Sequence, residues 1–401
     1  MSAHPLRLLF VLPFAPRLGG RHGGARVTGQ LIDALADRHE VAVVHLAERG
    51  DAPLEDGLRS RLAVVERVDR PDGPVSAGMR ARVKLGLLRG VPTWASEVAT
   101  PGFAERLGGL ASSWNPDVVQ VEYPVMGQYL PALGSCAAPR VLVEHDASLR
   151  DLRDFGGPLG GLVRALDDRA WRGFERRVMR QVQAVVAFTE RDRLALEALG
   201  TGTRVVRIPF GVPAPEMTLA PEGAAPPEVV FVGNFRHPAN VDSAVWLAGT
   251  LFPPVRDRVP DARLTIVGAS PTPEVRALAG DAVSVRGPVD DVVPYLDRAA
   301  VVAAPIRLGG GMRVKVLEAL AAGKAVVATP LAVEGLDVTP GDQLEVAENE
   351  VELTAALTRL LGDADARRIL AERAGAWARA ELGWDRVVAR YEDLYTKLRM
   401  G

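Results

Sequence analysis

Along this chain, short and almost unbroken apolar runs alternate with longer stretches whose apolar residues recur every three or four positions. The runs at 7–12, 41–46, 117–121, 141–144, 184–188 and 205–208 lack a continuous polar face, as strands covered on both sides require. Such strands, separated by helix-length segments, predict a parallel sheet with crossover helices. Over residues 209–227 the alternation lapses into Pro, Ala and Gly, then restarts with runs at 229–233, 264–268, 283–287, 301–306 and 325–329. The expectation is an α/β protein with an N-terminal domain over 1–208, a linker over 209–227 and a C-terminal domain over 228–380. Residues 351–398 are helical in period, and Trp377, Trp384, Val388, Tyr391 and Tyr395 give their end an apolar face. A helix over 381–401 is expected to pack back on the N-terminal domain.

Composition narrows the function classes. With 401 residues, 48% hydrophobic and 24% charged, the chain has material for two globular domains. A net charge of −2 argues against a nucleic-acid partner. Cys136 is the only cysteine, so no disulfide framework or cysteine-ligated zinc is expected. The six histidines are scattered and no metal-ligand spacing is evident, Asp290 and Asp291 standing as adjacent carboxylates at a helix start; no metal and no bound cofactor is expected. The apolar run at 8–12 stops at Pro13, too short for a secretory signal, so the expected location is cytoplasmic. Residues 162–182 read as an amphipathic helix with Leu162, Val163, Leu166, Ala170, Phe174, Val178 and Val182 on one side and six arginines on the other. Peripheral contact with an anionic membrane is one reading of that helix, and a solvated face is the other.

The segment at 304–330, APIRLGGGMRVKVLEALAAGKAVVATP, carries the most specific chemistry. It reads as strand, glycine loop, helix and strand. Gly309, Gly310 and Gly311 let backbone amides approach a ligand, and the next helix points its positive end at the same place. Arg313 and Lys315 add side-chain charge there, suited to a leaving phosphate, with Met312 before them and Val314 between them. Glu318 lies further along; its carboxylate would repel a free phosphate but accept hydrogen bonds from a ribose diol, so the pairing suggests a nucleotide diphosphate. The competing reading is a tight turn in a buried strand-helix-strand unit.

Further candidates lie at other strand ends. Gly19, Gly20, Gly23 and Gly24 form a second glycine-rich strand-to-helix turn, without GxGxxG spacing. Glu144, His145 and Asp146 end one strand and Glu122 another, where open α/β sheets bind ligands; Asp146 is alternatively a cap and His145 alternatively a surface residue. Asn234, Arg236 and His237 follow the first strand of the second domain, with Asn240 a candidate helix N-cap, and Arg286 to Val289 offer backbone groups to a base.

With these features in this order, the chain resembles the family-4 glycosyltransferases of GT-B fold almost end to end. That resemblance implies two facing Rossmann-like domains, a nucleotide-sugar donor, an acceptor hydroxyl of unknown kind, and retention of anomeric configuration. Glu318 is similar to the family glutamate that holds the donor ribose, whereas Gly310 stands where a second glutamate meets the donor sugar. The glycine loop is therefore left to meet that sugar. Gly23 and Gly24 match the loop beside the diphosphate, His145 the histidine near the transferred sugar, and Arg286 to Val289 the base loop. Arg236 reproduces part of a basic pair, which leaves Arg313 and Lys315 to complete it, and Glu122 and Asp146 fall on the acceptor side. The GxGxRxK spelling through Gly309 and Lys315 marks a subgroup. Two alternatives stay open: a nucleotide-sugar coupling enzyme or epimerase of the same fold, and a silent nucleotide-sugar-binding subunit.

Overall fold

The computed structural model describes residues 4–19, 23–48, 50–70, 77–134, 136–145, 160–213, 219–220, 223–289, 291–308 and 313–400, the side chains of Ala77, Met79 and Arg80 apart. The chain divides into two compact units, Met1–Phe210 with Val387–Gly401, and Gly211–Arg386.

The first unit is a parallel sheet of β1 (Arg7–Leu12), β2 (Glu40–Ala47), β3 (Val64–Asp69), β4 (Val118–Glu122), β5 (Arg140–Glu144), β6 (Ala184–Ala187) and β7 (Arg204–Arg207). Its order is β3-β2-β1-β4-β5-β6-β7. The apolar runs are buried as their sequences require: every residue of β1 after Arg7 is buried, and so is all of β4 and β6. β3 lies at the edge, only partly buried, with charged residues facing outward. That is why VVERVD does not read as a strand from its apolar pattern alone.

The second unit repeats the plan with β8 (Glu228–Val232), β9 (Arg263–Val267), β10 (Val283–Arg286), β11 (Val301–Ala304), β12 (Val326–Ala328) and β13 (Glu345–Val346), ordered β10-β9-β8-β11-β12-β13. In both sheets the first strand sits between the second and fourth. The crossover therefore changes direction between β1 and β4, and between β8 and β11. Outside the carboxyl ends of those strands the flanking loops part, and open α/β sheets bind ligands there. The second half of the expected linker packs on this unit: Ala224 N–H donates to the Arg298 carbonyl at 2.8 Å, and the buried Lys324 ammonium donates to the carbonyls of Ala220 and Asp297.

The C-terminal helix Trp384–Met400 buries Val387, Val388, Tyr391, Leu394 and Tyr395. From Val387 onward it counts with the first unit. There Glu392 meets His39 Nε2 at 3.1 Å, Arg399 meets Asp117 at 2.8 Å, and the Tyr395 hydroxyl donates to the Gln120 carbonyl oxygen. The arginine-rich helix spans Gly160–Met179 and buries Ala170, Trp171, Phe174, Val178 and Met179. Its apolar side differs from expectation at the start: Leu162 and Leu166 are 59% and 44% exposed.

Candidate functional site

In the second unit the expected donor residues gather at the carboxyl ends of β8 and β11. Arg313 caps the helix Val314–Ala321 and is buried. At the second position of that helix, the Lys315 ammonium donates to the Asn240 side-chain oxygen and lies 4.9 Å over the Phe231 ring. Partial burial, and then the charge of Arg313, pull the Lys315 amine down from 10.5 to about 7, against a smaller opposing pull from Glu318. His237 is lowered as well, by partial desolvation and then by the charge of Lys315.

Asn240 is not an N-cap. The helix Pro238–Trp246 begins two residues earlier, with His237 at the cap position and no side-chain bond there. The Asn240 amide instead donates to the Asn234 carbonyl at 2.7 Å while receiving Lys315, so it ties the β8 loop to the β11 helix. The Asn234 side chain accepts from the Arg236 N–H at 3.1 Å, and Arg236 Nε donates to Ser270 Oγ at 3.3 Å, which leaves the exposed Arg236 folded along the surface. Arg286 is exposed at the end of β10 and Val289 is partly buried beyond it.

Beneath these loops Gly233, Gly268 and Gly287 end three neighbouring strands. A Cβ on Gly268 would lie 1.7 Å from the Gly233 carbonyl oxygen, and one on Gly287 would lie 1.8 Å from that of Gly268. Their φ angles of 150° and 148° exclude most side chains independently. The row lets the ends of these three strands approach one another more closely than any side chain would allow.

In the first unit Gly23 opens the helix Gly23–Ala36 after β1, and Gly24 is buried in its first turn. The helix sits tight on the preceding loop, since a Cβ on Gly29 would lie 2.1 Å from the Arg17 carbonyl oxygen. His145 follows β5 and is 2% exposed, which overturns the surface reading. Glu122 is turned inward rather than toward an acceptor: its carboxylate receives His145 Nε2 at 2.5 Å and the Gln120 amide at 2.6 Å, and it is 1% exposed. Asp146, Gly309, Gly310, Gly311 and Met312 lie outside the described residues.

Residues 226–363 match the group 1 glycosyl transferases, and residues 22–211 match the glycosyl transferase 4-like domain. The chain belongs to the GT-B glycosyltransferases. This glycosyltransferase is 33% identical over 185 residues to a phosphatidyl-myo-inositol mannosyltransferase of Mycolicibacterium smegmatis, a match covering 43% of this chain and 46% of that one. It is 29% identical over 132 residues to an uncharacterized protein of the cps region of Klebsiella pneumoniae, covering 31% and 34%. The matched stretches thus span less than half the length of these curated relatives. Among solved structures, sucrose-phosphate synthase from Thermosynechococcus elongatus superposes with a TM-score of 0.73 at 17% identity, over 98% of this chain and 99% of that one. The Anabaena HepE protein in complex with UDP and glucose gives 0.65 at 14%, over 98% and 99%. At those identities the likeness is one of fold.

Sequence reading of this glycosyltransferase missed Gln120 and Tyr395 as polar partners, and missed the tie made by Asn240. Gln120 had a visible signal: with Glu122 it puts two polar residues two positions apart, on one face of a strand otherwise made of valine.

Proposed function

We propose that this chain is a retaining glycosyltransferase that moves a sugar from a nucleotide-diphosphate sugar to an acceptor hydroxyl without a metal ion. The observation that carries the proposal is the pairing of Arg313 and Lys315 at the start of one helix, where burial first and then the charge of the arginine depress the lysine amine to about 7. Two cations held together at a helix N-terminus repel each other, and a diphosphate is a ligand whose binding relieves that repulsion. A GT-B neighbour in complex with UDP and glucose supports a donor of this class. Glu318 is assigned to the ribose, the loop after Gly233 with Arg236 to the diphosphate, and the loop after Arg286 to the base. In the reaction the bond from the anomeric carbon to the β-phosphate oxygen breaks, and the acceptor oxygen bonds to that carbon on the same face. The acceptor's proton passes to the departing phosphate. Arg313 and protonated Lys315 hold the charge of that phosphate, and His145 is assigned to the transferred sugar.

Thermal melting with UDP, GDP, dTDP, ADP and CMP, in the presence of chelator, tests the donor site. One nucleotide should raise the melting temperature, and Glu318→Ala should weaken that response. No response to any of the five would overturn the proposal.

We infer in addition that the first turns of the helix Gly160–Met179 meet an anionic lipid surface. Leu162, Leu166 and Arg169 form one exposed stripe at helical spacing. The name of the mycobacterial relative, a transferase acting on a phosphatidyl lipid, supports such a surface. Among the described residues no helix is long and apolar enough to cross a membrane.

A further inference from the structure

A buried polar chain runs through the first unit from the C-terminal helix to His145. The Tyr395 hydroxyl donates to Gln120 Oε1, Gln120 Nε2 donates to Glu122 Oε1 at 2.6 Å, and Glu122 Oε2 meets His145 Nε2 at 2.5 Å. Tyr395, Gln120, Glu122 and His145 are 0%, 1%, 1% and 2% exposed, so water does not compete for these bonds. Buried polar groups of this kind are costly unless each is satisfied in a single arrangement.

We propose that Glu122, Gln120 and Tyr395 are positioning residues that hold the His145 ring as its Nε2–H tautomer and aim Nδ1 at the substrate, an inference that rests on the assignment of His145 to the transferred sugar. The argument follows the direction of each donor. A phenol that donates to Gln120 Oε1 fixes which end of the amide faces Glu122, and that end is the NH2 group. Burial, then the neighbouring Tyr391 and Glu122, push the Tyr395 hydroxyl well above its ordinary range, so it stays protonated and remains a donor. Glu122 accepts from the Gln120 amide through Oε1, and with Oε2 accepting in the same way the nitrogen that faces it carries hydrogen. Nδ1 keeps its lone pair, and it is buried with no hydrogen-bond partner among the described residues.

The ring is also gripped on its faces. Tyr123 stacks on it at 3.9 Å and 7°, and Phe188 meets it edge-on at 5.0 Å and 88°. Tyr123 adopts φ 65° and ψ 138°, a conformation that costs a non-glycine residue on the order of 1–3 kcal/mol. That strained residue directly follows Glu122, so one short segment supplies both the carboxylate and the stacking ring.

Nitrogen NMR on the full chain carrying 15N-histidine tests this without any substrate, the His145 signals being identified by their loss in His145→Ala. The native chain should show His145 as one Nε2–H form. Tyr395→Phe, which removes a single hydroxyl, should convert that form to a mixture of tautomers while the chain stays folded. Glu122→Gln should abolish the preference, and if that variant does not fold, Tyr395→Phe decides alone. A native Nδ1–H ring, or a Tyr395→Phe chain indistinguishable from native, overturns the inference. If the native chain holds the Nε2–H form yet binds none of the five nucleotides, the proposed function falls and the positioning role stands. If nucleotide binds and the tautomer is wrong, the reverse holds.

Discussion

Lys315 shows how one side chain can report on the whole of the proposed donor site. Its amine is held near 7 because partial burial and Arg313 both disfavour the charged form. Between pH 7 and 10.5 the unfolded chain keeps a proton on this lysine that the folded chain has given up, so stability rises with pH across that window and is lowest, on this account, below it. A bound diphosphate reverses the balance by favouring the ammonium. At pH 8 the free site is mostly neutral, so binding of the nucleotide should take up as much as about 0.9 proton. Calorimetry in buffers of different ionisation enthalpy measures that number directly. Lys315→Met should bring the uptake close to zero. Uptake that survives Lys315→Met would separate Lys315 from the diphosphate.

At the scale of the element, the helix Gly160–Met179 presents different residues on opposite sides, and the proposed lipid contact falls on the outer one. Trp171, Phe174 and Val178 bind it to the core, while Leu162, Leu166 and Arg169 face outward. Leucine in water costs free energy that a lipid surface returns, and the arginines add attraction to anionic headgroups. The double variant Leu162→Ser, Leu166→Ser should lose about tenfold in binding to vesicles containing phosphatidylglycerol, the loss expected from removing two partly inserted leucines. Cosedimentation checks this, and equal binding to zwitterionic vesicles would remove the electrostatic part of the argument. The same contrast of faces explains what the sequence made legible. Strands such as FVL in β1 or AVVA in β6 are buried on both faces and stand out as apolar runs, whereas β3 and the two-residue β13 lie at sheet edges where polar residues are tolerated. In the site, Arg313, Lys315 and Glu318 are legible because one helix carries them. Asn240 and Tyr395 are not, because their partners Lys315 and Gln120 lie 75 and 275 residues away and only the folded topology brings them together.

At the scale of the molecule, chain order and fold do not coincide, since the last fifteen residues complete the first unit after the second has been built. Val387, Val388, Tyr391, Leu394 and Tyr395 are each almost wholly buried. At roughly 1.5–3 kcal/mol for each large apolar side chain, removing them costs an amount comparable to the entire stability of a domain. Tyr395 also anchors the polar chain that ends at His145, and Glu392 holds His39, whose Nδ1 accepts from the Leu6 N–H at 3.2 Å at the entry to β1. A chain ending at Arg386 should therefore lose the melting transition of the first unit and keep that of the second. Because Asn234, Asn240, Arg313, Lys315 and Glu318 all belong to Gly211–Arg386, the surviving transition should still rise with the nucleotide that stabilises the full chain. Calorimetric scans of both chains, with and without that nucleotide, decide the matter. If the shortened chain retains both transitions, the helix is an accessory to the first unit; if it loses both, the two units do not fold independently and the donor site cannot be assigned to the second alone.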